Sequence, residues 1–221
     1  MKIAIVGAAG RMGKKLIELA AGEGLEVVSR VDVAEGYDRE WSVETEGVID
    51  FSFHAGVPAF VTKAAEQGIP YVIGTTGITA EEQVAVDEAA KKIPVVQSGN
   101  YSLGVNLMLN LVEQAAKILD KKDYEIEITE MHHKWKKDAP SGTAIMLAKA
   151  AGSTTPIHSL RGGSVVGDHT VMFAGELERV EITHKAQDRA AFAAGALKAL
   201  KWAAGKPAKI YTMRHVLGFE S

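Results

Sequence analysis

Short β-branched runs alternate with helix-spaced apolar positions through the first hundred residues. "KIAIVG" is apolar after its lysine, residues 12 to 22 carry Met12, Leu16 and Leu19 at helical spacing, and "LEVVSRVD" follows. An apolar run, a period near 3.6 and a second β-branched run make a β-α-β unit. The alternation continues through "GVIDFS", a helix over 56 to 67, "PYVIGTT", a helix over 79 to 91, and "IPVVQSG". Strands this uniformly apolar are covered on both faces, which predicts a mostly parallel sheet. Thr79, three residues before Glu82, supplies a capping box for the helix after the fourth strand.

After residue 102 the rhythm changes. A helix over 103 to 119 leads into "DYEIEITEMHH", whose strict alternation suits a sheet with one wet face. A helix over 141 to 151, the strands "DHTVMFAG" and "RVEITHKA", a helix over 188 to 204 and a short tail complete the chain. There is no repeat, low-complexity linker or charge block, so the domain boundary near 102 rests on the switch of period.

Composition narrows the class. With 221 residues, 47% hydrophobic and 24% charged, and a formal net charge of -3, the chain falls in the ordinary soluble globular range, and nucleic acid is not an expected partner. The absence of cysteine excludes disulfide staples, thiolate zinc sites and a cysteine nucleophile, and suits a reducing compartment. "MKIAIVGAAG" opens a folded element directly, and no apolar run approaches the ~18 residues of a membrane span. A cytoplasmic protein without a membrane partner is expected.

The stretch "IVGAAGRMG" joins the first strand to the first helix through Gly7, Gly10 and Gly13. A backbone without Cβ atoms admits a pyrophosphate, and the helix N-terminus favours its charge. The spacing departs from G-x-G-x-x-G, and a glycine turn also serves plain packing. Asp32 ends the second strand about 20 residues further on, where a carboxylate accepts both ribose hydroxyls of a dinucleotide. Val33 follows it with no arginine to neutralise a 2′-phosphate, which favours NADH over NADPH, unless Arg30 or Arg39 folds in. "GTTG" at 74 to 77 and "SGNYS" at 98 to 102 lie at the carboxyl edge of the sheet, where open α/β folds bind ligands; each also reads as an ordinary turn.

The densest chemistry is "EMHHKWKKDAPSGTA", residues 130 to 144. Pro140 stops what precedes it, and Ser141 caps a helix whose first amides attract a carboxylate. Three readings compete for His132, His133, Lys134, Lys136 and Lys137: a solvated basic loop, a metal site, or acid/base chemistry with anion binding. Adjacent histidines rarely reach one ion together and lysines repel a cation, so no metal is expected. Imidazole and ammonium are tunable donors near neutrality, which favours the third reading for a small anionic substrate.

Taken together, "GAAGRMG", "DFS" at 50 to 52, "GTTG", "SGNYSLGVN", "EMHHKWKKDAPSGTA", "RGG" at 161 to 163, "GDH" at 167 to 169 and "HKAQDRAAFAAGAL" from 184 resemble the dihydrodipicolinate reductase family along nearly the whole chain. The resemblance implies an α/β fold: a Rossmann-like dinucleotide-binding domain with a parallel sheet, residues 1 to 102 and 187 to 221, and a smaller α+β substrate and oligomerisation domain with an open mixed sheet, residues 103 to 186. It implies hydride transfer from NADH or NADPH to a cyclic imine dicarboxylate, giving tetrahydrodipicolinate on the diaminopimelate route to lysine. His132 falls at the family's catalytic histidine and Lys136 at its proton-donor lysine, with Asp138 keeping the register. His133, Gly142 and Thr143 match substrate contacts, with Ser141 beside them. Gly7, Ala8, Ala9, Gly10, Arg11, Met12, Asp32, Gly74, Thr75, Thr76, Ser98, Gly99, Asn100 and Tyr101 match the cofactor side. A homotetramer formed through the strands at 124 to 132, 170 to 174 and 179 to 185 is also implied; a monomer with a covered sheet is the alternative.

The chain departs from the family pattern at Tyr101, where phenylalanine is common and a hydroxyl now stands near the expected nicotinamide, at Gly99, and in the short segment between Asp32 and Asp50. Among the remaining residues, His54, His158 and His215 read as surface or loop histidines, and Trp41, Trp135 and Trp202 as packing residues. Asp168 and His169 read as structural or chemical equally, and Arg161 as a substrate-side cation or a salt-bridge partner. The competing functions are another two-domain nicotinamide reductase and a silent dinucleotide-binding sensor, which would need neither His132 nor Lys136.

Overall fold

The structure, a computed structural model, describes residues 1–119, 122–152 and 155–220. Residues 120, 121, 153, 154 and 221, which fall within the expected spans 103 to 186 and 187 to 221, lie outside the described set. The chain divides into two compact units, Met1–Ser102 with Phe192–Ser221, and Leu103–Ala191.

In the first unit the strands β1 (Lys2–Val6), β2 (Glu26–Val31), β3 (Gly47–Asp50), β4 (Tyr71–Ile73), β5 (Pro94–Gln97) and β10 (Lys209–Tyr211) form one sheet. Its order is β10-β5-β4-β3-β1-β2 and every pairing is parallel. The helices α1 (Arg11–Ala20), α2 (Val57–Gln67) and α3 (Ala80–Ala90) connect successive strands. Ala4, Val6, Val48, Tyr71 and Ile73 of the strands pack with Val57, Val61 and Ala64 of α2 and Val86 and Ala89 of α3. The expected capping box is present: Thr79 Oγ1 accepts from the Glu82 amide at 3.3 Å, and Glu82 accepts from the Thr79 amide at 2.9 Å.

The second unit holds α4 (Leu103–Ile118), β6 (Glu125–His132), α5 (Gly142–Ala150), β7 (Ile157–Arg161), β8 (Gly167–Ala174) and β9 (Arg179–Ala186). The sheet order is β7-β6-β8-β9, parallel between β6 and β7 and antiparallel elsewhere. Val105, Met108, Leu109 and Val112 form the i, i+3, i+4, i+7 stripe of α4. They meet Ile126 and Ile128 of β6, Val171 and Phe173 of β8, and Ala144 and Leu147 of α5. Phe173 is fully buried, a gain of roughly 1.5–3 kcal/mol over leaving it exposed. The helix α6 (Ala190–Ala203) and the short α7 (Met213–Val216) follow β9 and β10.

Two elements differ from expectation. The strand β7, "IHSLR", carries few apolar residues because it is an edge strand, paired on one side only and partly exposed. The tail after α6 is ordered: β10 adds to the far edge of the first sheet and α7 is closed by Thr212, whose hydroxyl accepts from the Arg214 amide. Three residues are too few to show a period. No helix among the described residues is long and apolar enough to cross a membrane.

Candidate active site

The glycine turn is tied to the second strand by its backbone. The Gly7 amide donates to the Val31 carbonyl at 2.9 Å, and the Ala8 amide to the same oxygen at 3.2 Å. Gly7 has φ +80°, and a Cβ there would stand 2.4 Å from the Phe51 carbonyl oxygen, so the chain needs glycine on both counts. Gly10 caps α1 with no side-chain hydrogen bond, leaving the first-turn amides, from Arg11 and Met12 onward, without intrahelical acceptors. Arg11 is exposed and adds a cation there.

Asp32 reaches back to this turn. One carboxylate oxygen accepts from the Ala9 amide at 2.9 Å and the other from the Ala34 amide at 3.0 Å. A carboxylate has about four lone-pair positions, so two remain for ribose hydroxyls. Arg39, one of the two arginines that were candidates to fold in, does so: its guanidinium donates to the Asp32 carbonyl at 3.1 Å. Gly7, Gly10, Asp32, Val33, Arg39 and Phe53 line a cavity of about 430 Å³. These residues fit a dinucleotide.

The loops after β4 and β5 are held from within. Asp50, fully buried at the end of β3, accepts from Tyr71 Oη at 2.5 Å, Thr75 Oγ1 at 2.9 Å and the Ser52 amide at 2.8 Å. The Thr75 hydroxyl is thereby committed, while Gly74 is half-buried and Thr76 exposed. The sequence places Asp50 in the "DFS" motif without a role; a lone carboxylate closing an apolar strand is the signal for such a brace. Ser98 Oγ donates to the Asn100 carbonyl at 2.8 Å, and Asn100 Oδ1 accepts from the Ser102 amide at 2.8 Å, around exposed Gly99. The Tyr101 hydroxyl turns inward, against expectation: it lies 2.7 Å from the Ile73 carbonyl oxygen and 2.9 Å from that of Val96. Burial pushes that phenol up from its ordinary pKa, so it stays a neutral donor.

In the second unit the site grows out of β-sheet register. The buried positions of β6 read Ile126, Ile128, Glu130, His132: two core residues, then two titratable ones in the same phase. Glu130 stands opposite Ser159 of β7 and His169 of β8, and His132 opposite Arg161. One end of the inner face is therefore hydrophobic core and the other a polar cluster. Arg161 grips Glu130 through both nitrogens, at 2.9 and 3.0 Å, and donates to the Asp138 carbonyl at 2.7 Å. His132 Nδ1 meets Glu130 Oε2. Burial alone would raise the Glu130 carboxyl, but hydrogen bonds from Arg161, Ser159 and His132 outweigh it and hold the group at about 2. Burial lowers the His132 imidazole, offset in part by Glu130. His169, 4% exposed and lowered to about 4 by burial and by His132, lies edge-on to His132 at 5.2 Å.

The remaining candidates surround this cluster. Lys136 Nζ donates to Asp138 Oδ2 at 2.6 Å, whereas Lys134 and Lys137 are exposed. Ser141 Oγ caps α5 by accepting from the Ala144 amide at 3.2 Å and lies 3.1 Å from His169 Nε2. Gly142, exposed, and Thr143, half-buried, form the first turn of α5. His133 Nε2 lies 3.5 Å from Arg189 Nη2. Arg161 takes the salt-bridge reading, and His169 sits inside the cluster. Glu130 was missed; a charged residue two positions before His132, in core phase, is the signal that finds it.

Both halves of the chain match one family: residues 1–101 fit the model described as dihydrodipicolinate reductase, N-terminus, and residues 104–217 the model described as dihydrodipicolinate reductase, C-terminus. The chain belongs to the dihydrodipicolinate reductase family. It is 42% identical to 4-hydroxy-tetrahydrodipicolinate reductase 1 of Mesorhizobium japonicum, over 99% of this chain and 97% of that one. It is 40% identical to the 4-hydroxy-tetrahydrodipicolinate reductase of Caldanaerobacter subterraneus, over 98% of each. In fold it matches a dipicolinate-bound dihydrodipicolinate reductase from Paenisporosarcina, with a TM-score of 0.82, 22% identity, and 96% and 97% of the two chains covered. Within the family frame, several minor expectations are corrected. Trp135 is 65% exposed and does not pack in a core. His158 is a surface histidine as expected, beside Glu127 at 2.7 Å, whereas His54 and His215 are part-buried on short helices, with Glu82 at 2.8 Å and Glu220 at 3.7 Å.

Proposed function

We propose that the chain is a nicotinamide-dependent 4-hydroxy-tetrahydrodipicolinate reductase, reducing the cyclic imine dicarboxylate formed when the hydroxylated precursor loses water, on the diaminopimelate route to lysine. One observation carries the reading: in a chain matched to this family across both halves, the inner face of β6 ends in His132, with Lys136 and the capped start of α5 in the segment that follows. A doubly charged substrate suits imidazole, ammonium and helix amides.

The reduced dinucleotide, when bound, supplies hydride. The first unit binds and orients it: Gly7 to Met12 admit the pyrophosphate, Asp32 takes the ribose, and the loops at 74 to 76 and 98 to 101 border the nicotinamide half. Asp32 favours NADH, and Arg39 beside it gives a 2′-phosphate a partner, so NADPH is also accepted. In the second unit His133, Ser141, Gly142 and Thr143 hold the carboxylates, His132 is the catalytic histidine, and Lys136 releases Asp138 to give its proton as negative charge develops on the ring. The protein is cytoplasmic and assembles as a homotetramer through the outward face of the β6–β9 sheet, where Leu160 is half exposed.

Lys136→Ala tests the reading. Turnover of enzymatically generated substrate should fall ~10²–10⁴-fold, the usual worth of a positioned acid, while NADH binding followed by fluorescence is unchanged. Equal turnover in the variant would remove the proton-donor role. A protein that binds NADH and turns over no cyclic imine would be the silent sensor instead.

A further inference from the structure

Glu130 and Arg161 have no part in the reading above, yet they form a deeply buried ion pair: the Glu130 side chain is 0% exposed and the Arg161 side chain 20%. We propose that Glu130, clamped by Arg161, is a positioning residue that fixes the ring and tautomer of His132, so that Nδ1 carries the proton and Nε2 is the nitrogen left to exchange with a ligand.

The argument is one of donors and acceptors. Arg161 donates to both oxygens of Glu130, a bidentate cation contact that favours the ionised, acceptor-only carboxylate. Against such a group His132 Nδ1 has to be the donor, and a neutral imidazole then presents a bare Nε2. The surroundings keep that nitrogen clear: a Cβ on Gly167 would stand 3.0 Å from Nε2, so glycine there spares the space. The other charged or titratable groups acting on His132 are Lys136, Arg161 and His169, none of them an acceptor that competes with Glu130 as an anion. The same arginine holds the Asp138 carbonyl, and Asp138 holds Lys136. The ion pair thus braces the histidine directly and the lysine through one intermediary. Carboxylate partners play this part behind metal-bound histidines, fixing tautomer and orientation; here no metal is invoked.

This inference rests on the catalytic reading of His132, and the experiment separates the two. In the unmodified protein, ¹⁵N spectra of labelled histidine above the titration of His132 should show the proton on Nδ1, a measurement that needs no variant. Glu130→Gln keeps the shape, and the partial exposure of Arg161 lets its freed charge reach water. In that variant kcat should fall about 10- to 100-fold, the usual loss when a histidine's outer partner is removed, with KM changing less and the His132 titration moving to lower pH. In a His132→Gln background the same substitution should cost nothing further, because it acts through the ring. Nε2 protonation in the unmodified protein, undiminished kcat in Glu130→Gln, or an equal loss in both backgrounds would each overturn the positioning role. Full turnover in His132→Gln with Nδ1 protonated would instead sink the catalytic reading and leave the buttress standing.

Discussion

At the glycine turn of the first unit the groups offered to a ligand are mostly backbone amides, made available by a left-handed Gly7 and an uncapped helix start. In the second unit they are side chains, standing on strand positions that two residues earlier hold isoleucine. Each design fails in its own way. Amides are lost when the backbone path changes and are indifferent to most side-chain chemistry. A charged cluster in core phase depends on every partner, because an orphaned charge there has little water to turn to.

Arg161→Ala gives the largest contrast. It leaves Glu130 buried with its main cation gone, and breaking such a pair costs about 3–5 kcal/mol, to be read by urea unfolding at neutral pH. The sign with pH follows from Glu130, whose folded pKa of about 2 lies below the ordinary carboxylate value. Its contribution is complete above that ordinary value and disappears as pH falls through about 2. Without Arg161 the carboxyl titrates higher, so acid unfolding should begin at higher pH. A variant as stable and as acid-resistant as the parent would show that the pair is not structural.

Gly7→Ala is the matching break in the first unit. A non-glycine residue at φ +80° pays roughly 1–3 kcal/mol in backbone strain, before the 2.4 Å approach to the Phe51 carbonyl is relieved. NADH affinity should fall sharply, whereas binding of the cyclic dicarboxylate substrate proposed for the second unit should survive. Loss of both would mean that the two designs are not separable by mutation. Arg39→Ala sharpens the same unit more gently: KM for NADPH should rise about tenfold, equivalent to 1.4 kcal/mol, with NADH little changed. Equal effects on both cofactors would deny Arg39 its part in reading the 2′-phosphate.

The two designs also differ in how far sequence reveals them. A glycine turn is visible in sequence, because the glycines and the strand-to-helix switch are the motif itself; Gly7, Gly10 and Asp32 read as one constellation, and Asp32 does reach the turn. His132, Lys136 and Ser141 stood out as a dense polar cluster. Their supports did not. Glu130, Arg161 and His169 come from three strands, and only the pairing register makes them neighbours. That register links residues about 30 and 40 positions apart, beyond any local period. The parallel first sheet was legible from its apolar runs, while β7 and β10, short edge strands with mixed residues, carried too little pattern to be seen.

Tyr101 is the smallest test and the one that asks whether a family departure matters. Its ring is 2% exposed, meets Phe51 edge-on at 5.8 Å, and directs its hydroxyl at two carbonyls, one at the end of β4 and one in β5. A phenol has one proton, so it donates to one carbonyl at a time and shares itself between the strands. Tyr101→Phe keeps the ring and removes that donor, leaving both carbonyl oxygens with fewer partners at a cost of about 0.5–1.5 kcal/mol. Because the hydroxyl points into the sheet, kcat and the KM for NADH should stay within twofold of the parent while the urea midpoint falls. A changed kcat at unchanged stability would place the hydroxyl beside the nicotinamide after all, and would make Tyr101 part of the ligand surface rather than a strap between two strands.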